Sequence, residues 1–254
     1  MRSLIITVAG TATRFNRDTD SPTLKCLYTE GGYEDTLLYR ILQRAHDYDE
    51  YIIVGGYLFD KLTDYVNRLP IHYRAKTKLV YNEHYADYGS CYSLLLGINN
   101  VSDGFGEVTF VEGDLYFDRV SFRIVTDSLK SIFTVNHELI TARKAVAAYS
   151  GIDNRIHYLY DTSHRYLEIK EPFSAVYNSG QIWKFADTAL LRKVAGNLTE
   201  EQRRGTNLEI VQQYFDALKP EEYAMVECPV WFNCNTVNDY RQVFKIMKSN
   251  EDIG

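Results

Sequence analysis

Leu4-Ile5-Ile6-Thr7-Val8-Ala9-Gly10-Thr11-Ala12-Thr13-Arg14-Phe15-Asn16 is an apolar run that breaks into a glycine, three small residues, an arginine and a phenylalanine. A short apolar run ended by glycine reads as a buried strand leaving its sheet. Gly10 lets the backbone turn at little steric cost, and the amides of Thr11, Ala12 and Thr13 can point at phosphate oxygens. Arg14 adds a permanently charged fork able to grip two oxygens at once. A triphosphate cradle is one reading of this stretch, and a tight turn with a solvated arginine is the other. Neither GK[ST] nor GxGxxG follows the strand, so it is neither a Walker loop nor a dinucleotide fingerprint.

Strand-like runs recur downstream at Tyr51–Val54, Leu79–Tyr81 and Val108–Val111. Helical spacing fills the gaps between them. Leu37, Leu38, Ile41 and Leu42 repeat at i, i+1, i+4 and i+5, and Leu58–Leu69 and Ser90–Ile98 behave alike. That alternation predicts parallel strands joined by helices, with the binding crevice at the strands' C-terminal ends. The second half changes rhythm. Thr141–Tyr149, Ile156–Tyr160 and Tyr166–Lys170 read as antiparallel strands, with turns at Gly151-Ile152-Asp153-Asn154 and Asp161-Thr162-Ser163. Helices are expected over Gln181–Val194, from about Asn207 to Leu218, and over Val237–Met247 behind the cap-like Asn235-Thr236. No repeat or Pro/Gly/Ser linker divides the chain, so one domain is expected.

At 254 residues the chain can bury a substantial core. Its net charge of -6 and pI near 5.6 argue against a nucleic-acid backbone or an anionic membrane as the main partner. No apolar stretch approaches the roughly 18 residues of a membrane span, and Met1-Arg2-Ser3 leads straight into a strand-like run. A cytoplasmic setting is the expectation. Cys26, Cys91, Cys228 and Cys234 form no CxxC pair and read as reduced thiols. The chain is aromatic-rich, with 21 Tyr and 12 Phe, most of which are expected in the core.

Lys25, in Ser21-Pro22-Thr23-Leu24-Lys25-Cys26-Leu27, is flanked by apolar residues that would turn it back into a site. Asp114 ends Phe110-Val111-Glu112-Gly113-Asp114, where a strand-end carboxylate beside phosphates would hold Mg²⁺. A helix cap or turn Asp is the other reading. Asn235, in Trp231-Phe232-Asn233-Cys234-Asn235-Thr236-Val237-Asn238-Asp239-Tyr240, either opens a helix or donates an oxygen to the same ion. Tyr88, Phe173, Tyr177 and Trp183 either box a cationic amine or belong to the core. Glu168, Glu171 and Asp187 either pair with an ammonium or are solvated.

Val8-Ala9-Gly10-Thr11-Ala12-Thr13-Arg14-Phe15 resembles the AG-x-x-(S/T)-RF signature of nucleotidyltransferases that couple an NTP to a phosphorylated sugar or small alcohol. In that family a Pro-Lys-x-Leu lysine, a strand-end metal Asp, a Lys-Pro-type stretch and a C-terminal Asn-Thr-x-x-Asp-Tyr follow. The chain carries Lys25 with Leu27, Asp114, Glu168-Ile169-Lys170-Glu171-Pro172 and Asn235 to Tyr240 in the same order. Ile53-Val54-Gly55-Gly56-Tyr57, Tyr81-Asn82-Glu83-His84-Tyr85-Ala86-Asp87-Tyr88 and Tyr92-Ser93-Leu94 are similar to bacterial phosphocholine cytidylyltransferases and their relatives.

The resemblance implies an α/β fold, Rossmann-like, with a mixed and mostly parallel sheet flanked by helices and a small antiparallel addition. It implies one domain over 1–254, with a nucleotide-binding half (1–135) and an acceptor-binding half (136–254). Arg14 and Lys25 would be catalytic. Ala9, Gly10, Thr11, Ala12, Thr13, Arg14, Lys25, Tyr81, Asn82, Ser90, Ser93 and Gly113 would bind the nucleotide, with Tyr81, Ser90 and Ser93 near a cytosine. Tyr88, Lys170, Asn178, Gly180 and Trp183 would meet the acceptor, and Asp114 with Asn235 would hold Mg²⁺. The implied reaction moves CMP from CTP to phosphocholine, an aminoalkylphosphonate or a phosphorylated amino acid or amide such as phosphoglutamine. Such products decorate cell-surface polysaccharide or lipid, and a homodimer stays open. The alternatives are a sugar-1-phosphate uridylyl- or thymidylyltransferase and a nucleotide-binding module without turnover.

Overall fold

The opening apolar run forms strand β1 (Arg2–Thr7) in the computed structural model of the chain, which describes residues 1–142, 146–159 and 165–251. Leu4 and Ile6 face one side of the sheet and Ile5 the other, and all three are fully buried. Helix α1 (Leu37–Arg44) starts where Thr36 Oγ1 accepts the Tyr39 amide at 3.2 Å, and it buries Leu37, Leu38, Ile41 and Leu42. Strand β2 (Glu50–Gly55) pairs parallel with β1 and is buried along its whole length, as a strand covered on both faces must be. Helices α2 (Phe59–Arg68) and α3 (Ile71–Arg74) lead to β3 (Thr77–Tyr81), parallel to β2.

Helix α4 (Ser90–Asn99) then crosses the opposite face of the sheet, packing Cys91, Leu94 and Ile98 near Ile5. It delivers β4 (Glu107–Glu112) to the free side of β1, again parallel. The chain therefore winds outward from β1 in one direction and returns to continue in the other. This reversal leaves a crevice beyond the C-terminal ends of β1 and β4, where Thr7 and Glu112 are cross-strand neighbours.

Most of the rest extends the same sheet, while Leu115–Phe117 and Trp231–Asn233 form a separate two-stranded one. Strand β5 (Leu115–Phe117), helix α5 (Arg119–Asp127) and strand β6 (Ser131–Asn136) come first, then the hairpin β7 (Ala147–Gly151) and β8 (Ile156–Tyr158). The 13-residue β9 (Phe173–Phe185) runs antiparallel to β4, β6 and β7, so the order is β6-β9-β4-β1-β2-β3. Helices α6 (Thr188–Gly196), α7 (Glu200–Arg204) and α8 (Leu208–Asp216) precede β10 (Tyr223–Cys228), which adds parallel to β6. Strand β11 (Trp231–Asn233) pairs antiparallel with β5, and α9 (Val237–Glu251) ends the described chain.

The mostly parallel first half and the antiparallel addition match the expectation. Two elements do not. Gln181–Phe185, expected to open a helix, ends β9, and α6 begins only at Thr188. Ile182, Trp183 and Phe185 are fully buried between β4 and β6, and a short apolar run takes its conformation from such neighbours. Tyr166–Lys170 pairs with no strand among the described residues. The expected strand Thr141–Tyr149 is strand only from Ala147, with residues 143–145 outside the described residues. Tyr160 and the turn Asp161-Thr162-Ser163 also lie outside them. All four cysteines are buried and free. No helix among the described residues is long and apolar enough to cross a membrane.

Candidate active site

The stretch after β1 forms a loop anchored at both ends. The Val8 amide donates to Val54 O at 2.8 Å, and the Asn16 amide to Ala12 O at 2.9 Å. The left-handed residue expected of the turn is Ala12, at φ 52°, rather than Gly10. Neither close approach nor a left-handed φ requires a glycine at position 10, since a Cβ there would meet nothing within 4 Å. Thr11 and Thr13 share a side-chain hydrogen bond of 3.0 Å that braces the loop.

Across the crevice, the end of β4 comes close to β1. The Gly113 amide donates to Thr7 O at 3.0 Å, and a Cβ on Gly113 would collide with Val8 and crowd that same carbonyl. Asp114 follows. One of its oxygens, Oδ2, meets the Lys25 ammonium, while Oδ1 is buried and takes no hydrogen bond. The Cys234 amide donates to Asp114 O at 2.9 Å, which brings Asn235 alongside. Asn235 Oδ1 accepts Arg14 Nη2 at 2.9 Å, so residues far apart in the chain join one cluster.

Thr236, not Asn235, caps α9. The Asp239 amide donates to Thr236 Oγ1 at 3.1 Å, and the Thr236 amide donates back to Asp239 Oδ2 at 2.8 Å. The helix-opening reading and the oxygen-donor reading are thus served by different side chains. The orphaned Asp114 oxygen and the Asn235 amide oxygen, carried in by the Cys234–Asp114 bond, are both hard donors. They fit Mg²⁺, which takes one or two protein oxygens and completes its shell with water and phosphate. Among the described residues no three His, Cys, Asp or Glu side chains converge as a metal cage.

Gly10, Lys25, Gly113 and Asp114 line a cavity of about 260 Å³ whose far wall is Asn82, Tyr85, Tyr88, Gly89, Ser90 and Ser93. Lys25 also lines an adjoining pocket with Ala12, Thr13, Arg14 and Asn235. It therefore stands between a nucleoside-sized space and a cationic one. Asn82 is buried with one bond at each end of its amide: its Nδ2 donates to Ser93 Oγ at 2.9 Å, and its Oδ1 accepts the His84 amide at 2.8 Å. Tyr88 stacks on His84 with centroids 4.2 Å apart, and Arg204 lies over its other face. Tyr81 departs from the expectation. It is 51% exposed and packs against Phe59, because it is the last residue of an edge strand.

The acceptor set is not brought together. Only Tyr88 lines the cavity, at the wall that would face the base. Trp183 is fully buried, stacked on Phe110 with centroids 5.2 Å apart, and donates its Nε1 to Tyr158 Oη at 2.7 Å. Gly180 is a packing residue, since a Cβ there would come within 2.5 Å of Thr134 Oγ1. Asn178 is buried opposite Asn136, and Lys170 is exposed beside Glu168. Of the carboxylates weighed for an ammonium, Asp187 caps α6 through the Leu190 amide, and Glu171 accepts Tyr149 Oη. The box of Tyr88, Phe173, Tyr177 and Trp183 does not assemble, because Trp183 lies in the core and Phe173 packs on Tyr149.

Two cavity features escape a reading of motifs. Glu112 faces the cavity, and burial together with the Asp114 charge pushes its carboxyl up to about 7, against the pull of Asn207 and Lys25. It was legible as the residue two before Asp114. Asn207 was not, being 95 residues away. Its Nδ2 donates to Glu112 Oε1 at 2.6 Å and its amide to Ser90 Oγ at 2.9 Å, bolting the cavity wall to the start of α8. Gly89 completes that joint: its amide donates to Arg204 O at 2.9 Å, and a Cβ would lie 2.8 Å from the same oxygen and collide with Gly205. Gly89→Ala is expected to cost about 1–3 kcal/mol through overpacking. Urea unfolding measures it, and an unchanged midpoint would count against this joint.

The architecture is that of the nucleotidyltransferases. The chain is similar to the inositol-1-phosphate CTP transferase of T. maritima (17% identity, TM-score 0.69, covering 98% of this chain and 95% of that one). It is likewise similar to the CTP:phosphocholine cytidylyltransferase LicC of Streptococcus pneumoniae (18%, 0.68, 97% and 99%). A putative glucose-1-phosphate thymidylyltransferase of Bacillus anthracis, solved with a sucrose, is a third (16%, 0.68, 97% and 95%). No curated protein sequence matches the chain. The chain belongs to the family described as Domain of unknown function (DUF6564), whose model matches residues 21–247.

Proposed function

We propose that the protein is a nucleotidyltransferase that moves CMP from CTP to a small phosphorylated or phosphonate acceptor, giving a CDP-type product and pyrophosphate. The observation that carries this reading is the convergence of the Gly10–Arg14 loop, Lys25, Asp114 and the Asn82–Ser93 wall on one crevice. Two of the similar structures are CTP-using transferases, which supports cytidine as the base. The thymidylyltransferase keeps UTP and dTTP as the second reading. The buried free thiols suit a cytoplasmic setting.

An acceptor phosphate oxygen attacks the α-phosphorus of the nucleotide. The bond from that phosphorus to the bridging oxygen breaks, and pyrophosphate leaves with the electron pair. The protein's work is to position two anions and offset their repulsion. Lys25, between the two pockets, reaches the α-phosphate region, and Arg14 grips the departing phosphates with the loop amides. Asn82 and Ser93 orient the base edge, while Glu112 and Asn207 hold the wall behind the ribose. Asp114 and Asn235 would hold Mg²⁺, which when bound supplies charge neutralisation at the phosphate oxygens.

Lys25→Ala removes a charge-assisted contact of about 1.5–3 kcal/mol, so kcat/KM for the nucleotide is expected to fall roughly 10- to 100-fold. Steady-state kinetics against nucleotide concentration measures it, and unchanged dependence would remove Lys25 from the site. The reaction itself is tested by incubating the protein and Mg²⁺ with each NTP against phosphocholine, aminoalkylphosphonates, phosphorylated amides and sugar 1-phosphates. Pyrophosphate release with CTP and one acceptor class is expected. Release with dTTP or UTP and a sugar 1-phosphate would favour the second reading, and release with none would leave a binding module.

A further inference from the structure

We propose that Asn233 is a positioning residue that sets which end of the Asn235 amide faces Arg14 and the Mg²⁺ that would accompany the phosphates. The inference rests on the nucleotidyl-transfer reading and deepens it. A primary amide offers an oxygen on one side and two N–H groups on the other, and only its partners decide which side faces a ligand. Asn235 Nδ2 donates to Asn233 Oδ1 at 2.7 Å, and this leaves Asn235 Oδ1 to accept Arg14 Nη2 at 2.9 Å. The backbone amide of Asn235 does not compete, because it donates to Asp239 Oδ2 at 3.0 Å.

Behind Asn233 stands Gln181, whose Oε1 accepts Asn233 Nδ2 at 3.4 Å. All donors thus run inward and all amide oxygens outward, toward the crevice. Gln181 is 2% exposed and holds φ at 54°, in the left-handed region, although it is not a glycine. Such conformations persist where the surroundings dictate them, and they cluster at functional sites. Here the Gln181 amide donates to Ser179 Oγ at 3.1 Å, and Trp231 Nε1 donates to Gly180 O at 2.7 Å. Trp231 and Asn233 belong to the same short strand, so one element pins β9 beside the strained Gln181 and carries the relay. If Asn233 could not accept, the Asn235 amide would be free to turn its N–H groups toward the Arg14 cation.

The test is a double-mutant cycle read as the dissociation constant of Mg·CTP by titration calorimetry. Asn233→Leu, similar in size and without an acceptor, is expected to weaken binding about 10-fold, and Asn233→Asp, which keeps the acceptor, to recover most of it. Added to Asn235→Ala, Asn233→Leu is expected to change little more, because Asn233 acts only through the Asn235 amide. Additive losses, or an Asn233→Asp protein as weak as Asn233→Leu, would overturn the relay. Should Asn233→Leu fail to fold, Gln181→Met removes the next link and is expected to show the same non-additivity in smaller measure, with additivity again overturning the proposal. A wild-type protein that binds no Mg·NTP removes the proposed function and this inference together. Binding with an additive cycle removes only the inference, whereas binding, a coupled cycle and no turnover with any acceptor removes only the function.

Discussion

Asp114→Ala is expected to lower turnover on the order of 10²-fold or more without lowering the melting temperature. The rate term follows from losing the oxygens that would hold the ion at the phosphates, a contribution of several kcal/mol. The stability term follows from the free protein. Asp114 Oδ1 is buried with no hydrogen-bond partner, a condition that costs about 1–3 kcal/mol, and alanine removes it. The other oxygen meets Lys25, whose side chain keeps 23% exposure and can turn to water when released. Pyrophosphate release and thermal unfolding on one preparation check both. Turnover near wild type would remove Asp114 from catalysis, and a sharp fall in melting temperature would make it a structural ion-pair residue instead.

Trp183→Ala is expected to cost about 3–5 kcal/mol of folding stability, a large share of the 5–15 kcal/mol typical of a domain. Its ring fills the space between Phe110 and Tyr158 in the core, and its loss also removes the N–H that the Tyr158 hydroxyl accepts. Urea unfolding measures the loss. A change of under about 1 kcal/mol, with the acceptor KM altered instead, would return Trp183 to the acceptor set implied by resemblance.

The contrast between these two residues separates what a linear reading can reach. Asp114 was legible because a carboxylate directly after an apolar strand in an α/β pattern ends at the sheet's binding edge, whatever the details of packing. Trp183 was not, because an aromatic in a short apolar run carries no sign of which face it occupies. Its burial depends on β9 entering between β4 and β6, a pairing of segments more than 40 residues apart. Tyr81 failed likewise, its exposure following from β3 being an edge strand. Asn207 carried no signal at all, since its role exists only where α8 meets the end of β4.

By itself the sequence determined the local chemistry: the strand–loop opening at Gly10, the helix faces of α1 and α4, the order of the site segments and the strand-end Asp114. These depend on periodicity and on residues within a few positions of one another. Tertiary structure alone decided that the left-handed turn falls at Ala12, that Arg14 meets Asn235 across 221 positions, and that Gln181 is strained inside a strand. The physical reason is that amide orientation, burial and backbone strain are set by partners, and those partners arrive from distant segments only once the sheet has closed around β9.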